Sequence, residues 1–214
     1  VKKFLAKDDV ETFKKDGVIL IKGLFSDFID IISKGIEKNL LLPGPYAAEN
    51  LKDNETGRFF DDYCNWNRIK EFENVAFKSS AGNVASILMH SKRVQLFHEH
   101  VLVKEPGTNK NTPWHQDSPY FLQTYPNFNA FVCWIPLTNN SIKNGTLQFI
   151  SGSHKEFIKT KLTRKNKLSS LQSKLNINKN NKILNFNANS GDAGIFHMNL
   201  KHKSGTNNSE KFRI

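Results

Sequence analysis

The stretch Thr112-Pro113-Trp114-His115-Gln116-Asp117-Ser118-Pro119-Tyr120 places an imidazole and a carboxylate two positions apart. In an extended strand, residues i and i+2 project from the same face, so His115 and Asp117 can converge on one point. A metal ion is the partner that suits them. Two neutral imidazole nitrogens and one carboxylate leave open positions on Fe(II), the arrangement used for oxygen chemistry at non-haem iron, so a second histidine is required downstream. A lone His-x-Asp also has an ordinary alternative, a surface histidine hydrogen-bonded to a nearby carboxylate.

His154, His197 and His202 are the candidates for the third ligand. If the strand that starts at Gly194 runs on regularly, Phe196, Met198, Leu200 and His202 face an apolar interior, and His197 falls on the side of Asn199 and Lys201. A turn in between would remove this reason for preferring His202. Arg213, eleven positions further on, adds a second clue, because an arginine on a neighbouring strand can clamp a dicarboxylate bidentately.

These groups need elements to hold them. Asp8 or Asp9 can cap a first helix with Val10 and Phe13 on its apolar face and Gly17 at its C-terminal stop. Val18-Ile19-Leu20-Ile21 reads as a buried strand, and Ser26 starts a second helix bearing Ile29, Ile32, Ile36 and Leu40. From Pro43 to Asn65 the signals are loop-like, with Phe59, Phe60 and Tyr63 beside Asp61 and Asp62 as candidates for a lid or a packed loop. Two helical patterns follow, one around Ile69, Phe72 and Val75 and one around Ala81, Val84, Ala85 and Leu88. The period then changes to that of strands. Arg93 to Lys104 reads as one long strand with Val94, Leu96, His98 and His100 on one face, followed by strands at the metal stretch, Phe131 to Leu137, Thr146 to Ile150, Ile183 to Phe186 and Gly194 to Leu200. Helices first and many short strands afterwards predict an α+β fold with an antiparallel barrel or double sheet carrying the chemistry.

At 214 residues the chain fits a single domain spanning 1–214. It lacks an apolar run of membrane-spanning length, and its first residues become charged before a signal-peptide core forms, so a cytoplasmic protein is expected. Cys64 and Cys133 are too few and too far apart for a disulfide framework. The chain starts with Val and stops at Arg213-Ile214 inside an apparent strand, which suggests truncation at the C-terminus. The formal charge of +11 raises the question of a polyanionic partner. Between Lys155 and Lys182, however, the one acid is Glu156, and the segment lacks the aromatic interleaving of a single-strand nucleic-acid groove. A solvated basic insertion over 155–182 is the reading preferred to nucleic-acid binding.

The chain resembles the phytanoyl-CoA dioxygenase family of Fe(II)- and 2-oxoglutarate-dependent oxygenases. The resemblance is carried by Asp16-Gly17-Val18 leading to Gly23-Leu24-Phe25, Val103-Lys104-Glu105-Pro106-Gly107-Thr108, Pro113-Trp114-His115-Gln116-Asp117, Trp134-Ile135-Pro136-Leu137, Asn144-Gly145, Gly152-Ser153-His154, and Gly191-Asp192-Ala193 through His202. It implies a double-stranded β-helix of jelly-roll type with N-terminal helices packed against it. It further implies iron held by His115, Asp117 and His202, and 2-oxoglutarate bound by Arg213 with Ser204, Lys104 and Trp134 contributing. His154 and His197 would then be structural. Tyr120 and Phe121, with Tyr125 and Phe128, follow the metal strand and are candidates for lining a substrate pocket.

The expected activity is hydroxylation of a small-molecule or acyl-CoA-like substrate with O2, coupled to decarboxylation of 2-oxoglutarate to succinate; related halogenases carry a small residue where Asp117 stands. Two rivals remain at this stage. One is a catalytically inactive basic β-domain that binds nucleic acid or another polyanion, with steep salt dependence. The other is a barrel holding a different divalent metal. Neither the substrate nor the oligomeric state is legible in the residues.

Overall fold

The computed structural model describes residues 5–49, 56–121, 130–156, 175 and 177–214. Tyr125, Phe128 and most of the basic stretch 155–182 lie outside the described residues.

Helix α1 (Lys7–Asp16) begins at Ala6, not at Asp8 or Asp9. Asp9 sits in its first turn and accepts a hydrogen bond from the Ala6 N–H at 2.7 Å, which satisfies a donor that the helix leaves open. Gly17 ends it in the left-handed conformation at φ 80°. Strand β1 (Val18–Ile21) follows, then a 3-10 turn over Ser26–Phe28 and helix α2 (Ile29–Leu41). Helices α3 (Lys70–Lys78) and α4 (Ala81–Leu88) bury Phe72 and Val75, and Val84, Ala85 and Leu88, as their spacing predicts.

The stretch 43–65 is not simply a loop. It contains strand β2 (Ala48–Glu49) and strand β3 (Phe59–Tyr63), which pair antiparallel with each other and, through β3, with β4 (His100–Lys104). The long strand expected from Arg93 is therefore only its last five residues. The reason lies in the partner: β3 ends at Tyr63, and Cys64 turns the chain away at φ 64° after one further hydrogen bond to the Glu99 carbonyl. Asp62 anchors β3 to the helical layer by accepting hydrogen bonds from the Asn39 side chain and the Gly44 N–H, both at 2.7 Å.

The remaining strands are β5 (Thr112–His115), β6 (Phe131–Trp134), β7 (Leu147–Ile150), β8 (Ile183–Asn185), β9 (Ala193–His197) and β10 (His202–Ser204). They form two antiparallel sheets in the orders β1-β9-β6 and β5-β10-β7-β8. Alternation along β1 and β9 divides the core. Ile19, Ala193 and Ile195 join the helices' apolar side chains, and Val18 and Phe196 pack with Phe149 and Leu200 in a second cluster. A regular strand from Gly194 to His202 does not exist. The chain turns at Met198–Leu200, where the Leu200 N–H bonds the His197 carbonyl at 2.8 Å, and crosses from one sheet to the other.

Several of the sequence blocks are clasps for this crossing. The Asp192 carboxylate accepts from the Gly23 and Asn189 N–H groups and from Lys22, tying the end of β1 to the start of β9. Ser153 Oγ donates to the Ile150 carbonyl and accepts from the Lys201 N–H at 2.9 Å, which holds the residue just before His202.

Gly17 and Gly107 both have left-handed backbones, at φ +80° and +77°, but their surroundings differ. A Cβ at Gly17 would lie 2.4 Å from His154 Nδ1 and 2.8 Å from Leu200 Cδ1, whereas at Gly107 the nearest atom is 3.5 Å away. Gly107→Ala should cost only the backbone term of about 1–2 kcal/mol. Gly17→Ala adds overpacking of about 1–3 kcal/mol. Urea unfolding of the two variants checks this; equal losses would contradict the packing assigned to His154 and Leu200.

Candidate metal and cosubstrate site

Strand β5 is an edge strand, and its ladder with β10 contains a bulge: His202 lies opposite His115 and Ser204 opposite Thr112. Pro113 falls inside that irregularity, a position where its missing N–H costs no ladder bond. The pairing thus brings the two imidazoles together, with ring centres 4.1 Å apart. Asp117 follows directly, its N–H bonded at 2.9 Å to the Met198 carbonyl in the crossing turn. The ligand atoms of His115, Asp117 and His202 all lie within 4.8 Å of one another, close enough for one ion to touch all three.

Both imidazoles are oriented from behind. His115 Nδ1 is 2.8 Å from the Pro113 carbonyl and His202 Nδ1 is 2.9 Å from the Leu200 carbonyl. A carbonyl can only accept, so each Nδ1 carries the proton and each Nε2 presents its lone pair. Those Nε2 atoms lie 3.4 and 3.7 Å from Asp117 Oδ1. Burial drives the His202 pKa down to about 4, with the Asp117 charge opposing and His115 adding to the fall. For His115, burial works in the same direction, but the Asp117 carboxylate beside the ring outweighs it and its pKa is raised. Asp117 is held below the usual carboxylate range, because the two histidines outweigh its own burial. The group is therefore an ionised carboxylate beside a neutral His202 at neutral pH, the donor set a divalent transition metal needs. His202 is further fixed by the rings of Phe196 and Phe149, at 4.7 and 6.0 Å.

Two positions along the same ladder lies a second cluster. The Lys104 ammonium donates to Ser204 Oγ at 2.9 Å and to the Gly205 carbonyl at 2.7 Å, and Ser204 Oγ is 3.1 Å from Thr112 Oγ1. Arg213 forms a two-hydrogen-bond bridge to Lys104 through the backbone, and its guanidinium lies 5.8 Å from the Trp134 ring centre. Lys104 and Arg213 are 0% and 2% exposed, and among the described residues neither forms an ion pair. Burial and the neighbouring Arg213 charge pull the Lys104 pKa down to about 7, and burial lowers Arg213 to about 10. Arg213 Nε is buried with no hydrogen-bond partner. Two buried cations, an orphaned donor and two hydroxyls make a pocket that requires an anion, and a carboxylate meets that requirement.

The structure thus brings His115, Asp117 and His202 together, and Lys104, Ser204, Trp134 and Arg213 together. His154 and His197 pair with each other, ring centres 5.5 Å apart, away from the metal group. Tyr120 and Phe121 belong to the 3-10 turn Ser118–Phe121 that follows Asp117. Sequence reasoning overlooked Thr112 and the polar face of β3 and β4, because Phe59–Tyr63 carried no strand signal strong enough to stand against the turn residues around it.

The family model described as phytanoyl-CoA dioxygenase matches residues 13–214. Ectoine dioxygenase of Stutzerimonas stutzeri (strain A1501) is 25% identical over 160 residues, covering 72% of this chain and 52% of that protein. The chain therefore spans about half the length of the curated relative it matches. Among solved structures, EctD from S. alaskensis with 2-oxoglutarate and 5-hydroxyectoine aligns with a TM-score of 0.79 at 19% identity, over 99% of this chain and 74% of that one. The non-haem α-ketoglutarate-dependent carbocyclase SnoK from nogalamycin biosynthesis aligns with a TM-score of 0.78 at 19% identity, over 98% and 81% of the two chains. At such identities the likeness shows a common fold. The family match, which runs through nearly the whole chain, shows more: this chain belongs to the phytanoyl-CoA dioxygenase family.

Proposed function

We propose that this protein is an Fe(II)- and 2-oxoglutarate-dependent hydroxylase of a small molecule, with residues 1–214 forming one domain. The sheets β1-β9-β6 and β5-β10-β7-β8 are read as the two halves of a double-stranded β-helix. One observation carries the reading: the strand pair that joins His115 to His202 in the His-Asp-His group joins Thr112 to Ser204 beside Lys104, which with Arg213 has no acid partner among the described residues. Family membership and the likeness in fold support it.

In this reading His115, Asp117 and His202 hold the iron, and Lys104 and Arg213 hold the distal carboxylate of 2-oxoglutarate, with Ser204 and Thr112 adding hydroxyls. When bound, iron and 2-oxoglutarate supply the reduction of O2 that places one oxygen atom in a substrate C–H bond and the other in succinate, with loss of CO2. The chain's own work is positioning. The Pro113 and Leu200 carbonyls keep both Nε2 lone pairs aimed inward, Arg213 stays charged in a dry pocket, and Trp134 closes its face. Asp117 supports hydroxylation over halogenation, since the carboxylate fills the position a halide would need. Tyr120 and Phe121, next after the metal group in the chain, remain candidates for the substrate side.

Protein supplied with Fe(II) should convert 2-oxoglutarate to succinate, and Asp117→Ala should reduce this by about 100-fold or more. A folded Asp117→Ala protein with undiminished turnover would overturn the ligand assignment. Lys104 gives a pH signature. With a pKa of about 7 in the free protein it is protonated below that pH and neutral above it, and only the ammonium form attracts a carboxylate. Apparent affinity for 2-oxoglutarate should therefore weaken as pH rises above about 7, by up to about tenfold per unit, and Lys104→Met should flatten the dependence. Calorimetric titrations across that range test it, and an affinity of the wild type that does not change with pH would contradict it.

A further inference from the structure

The sheet β2-β3-β4 carries a set of side chains that the metal group and the cation pocket do not use. Its register puts Phe59, Asp61 and Tyr63 beside Lys104, Leu102 and His100 on one face. That face starts at the cation pocket, where the Lys104 ammonium lies 4.9 Å from the Phe59 ring centre, and runs outward. His100 Nε2 meets Asp61 Oδ1 at 2.5 Å. Tyr63 packs edge-on against His98 and His100, with centroids at 5.9 and 5.5 Å, and Tyr46 stacks on Tyr63 at 4.9 Å with the planes 12° apart. At its inner end the face meets the β10 ladder, because the Lys104 ammonium bonds Ser204 Oγ, two positions along β10 from His202. The Asp61 and His100 side chains are 30% and 41% exposed, and Tyr46 and Tyr63 are exposed as well, open to an incoming molecule.

We propose that this face is the substrate platform, and that its substrate is a compact ring compound without negative charge that offers O–H or N–H donors, either a sugar-like polyol or a cyclic amine. Each part of the face selects for this. Stacked tyrosines present an aromatic surface that receives the C–H or cationic side of a ring. Asp61 is acceptor-only when ionised, and the bond to His100 occupies one of its oxygens while fixing its orientation. Outward of Lys104, the three strands place one carboxylate and no lysine or arginine on this face. Phosphates or carboxylates on a substrate would meet Asp61 with no lysine or arginine from these strands outward of Lys104 beside it, a repulsive element that discriminates against a CoA thioester. The proposal rests on the preceding reading only in taking Asp117 to mark the reacting centre.

The test uses the anaerobic protein with Fe(II) and 2-oxoglutarate, whose visible charge-transfer band reports bound cosubstrate and responds when a substrate enters beside it. The probes are methyl β-D-glucopyranoside, piperidine hydrochloride and butyryl-CoA. One of the two rings should shift the band saturably, the glucoside marking a polyol site and piperidinium a cyclic-amine site. Asp61→Asn should weaken that response about tenfold or more. Tyr46→Ala, at a 52% exposed position that the core does not need, should weaken it in the same direction. Silence from both rings, a saturable response to butyryl-CoA, or an unchanged ring response in both variants overturns the platform. Failure of the wild type to form the band overturns the cofactor reading instead, so the two failures are distinguishable.

Discussion

The antiparallel pairing of Thr112–His115 with His202–Ser204 is the constraint on which the rest depends. One ladder sets His202 opposite His115 and Ser204 opposite Thr112, so the same register builds the metal group and the anion pocket. Side chains alternate with a period of two, and a slip of one residue would turn both functional pairs to the other face. Much of the surrounding structure serves this register. Ser153 holds Lys201, the Met198 carbonyl holds Asp117, Gln116 donates from between the two ligands to the carbonyls of Glu156 and Asn199, and Asp192 fixes where β9 begins.

The second constraint is electrostatic. Lys104 and Arg213 are buried side by side without an acid among the described residues, an arrangement that burial alone would penalise by several kcal/mol per ion. Their placement makes sense as binding energy held ready for an anion, because a dicarboxylate gains in that dry pocket what the folded protein loses by keeping it charged. The metal group follows the opposite logic, with an ionised carboxylate between two imidazoles and its own lone pairs already directed. A cation is wanted at one end of the ladder and an anion at the other. A molecule that chelates a metal at one end and carries a carboxylate at the other joins them.

How much of this was legible depended on whether the information was local. The helices around Ile32 and Ile36, Phe72 and Val75, and Val84 and Leu88 are written in local apolar spacing, and the structure buries those side chains. His115 and Asp117 were legible because their convergence needs only one short stretch of backbone. The face alternation that favours His202 fails at the Met198–Leu200 turn; what brings His202 to His115 is a cross-strand register, which no single stretch contains. The strand pattern from Arg93 runs longer than the strand itself because the length of β4 is set by where β3 ends, at Tyr63, which is invisible in its own alternation. Phe59–Tyr63 reads as loop because the turn residues around it, Pro43-Gly44-Pro45, Asn54 and Gly57, dominate the stretch, and the partners that let Asp62 be buried, Asn39 and Gly44, are supplied from elsewhere in the chain.

The central claim is that one strand register assembles both halves of a single chelate site. A crystal grown anaerobically with Fe(II) and 2-oxoglutarate, with data collected across the iron absorption edge, tests it most directly. The account predicts one anomalous peak bonded to His115, Asp117 and His202, with the distal carboxylate of 2-oxoglutarate on Lys104 and Arg213. An iron peak that is not bonded to these three side chains, or a cosubstrate bound away from Lys104 and Arg213, would contradict it.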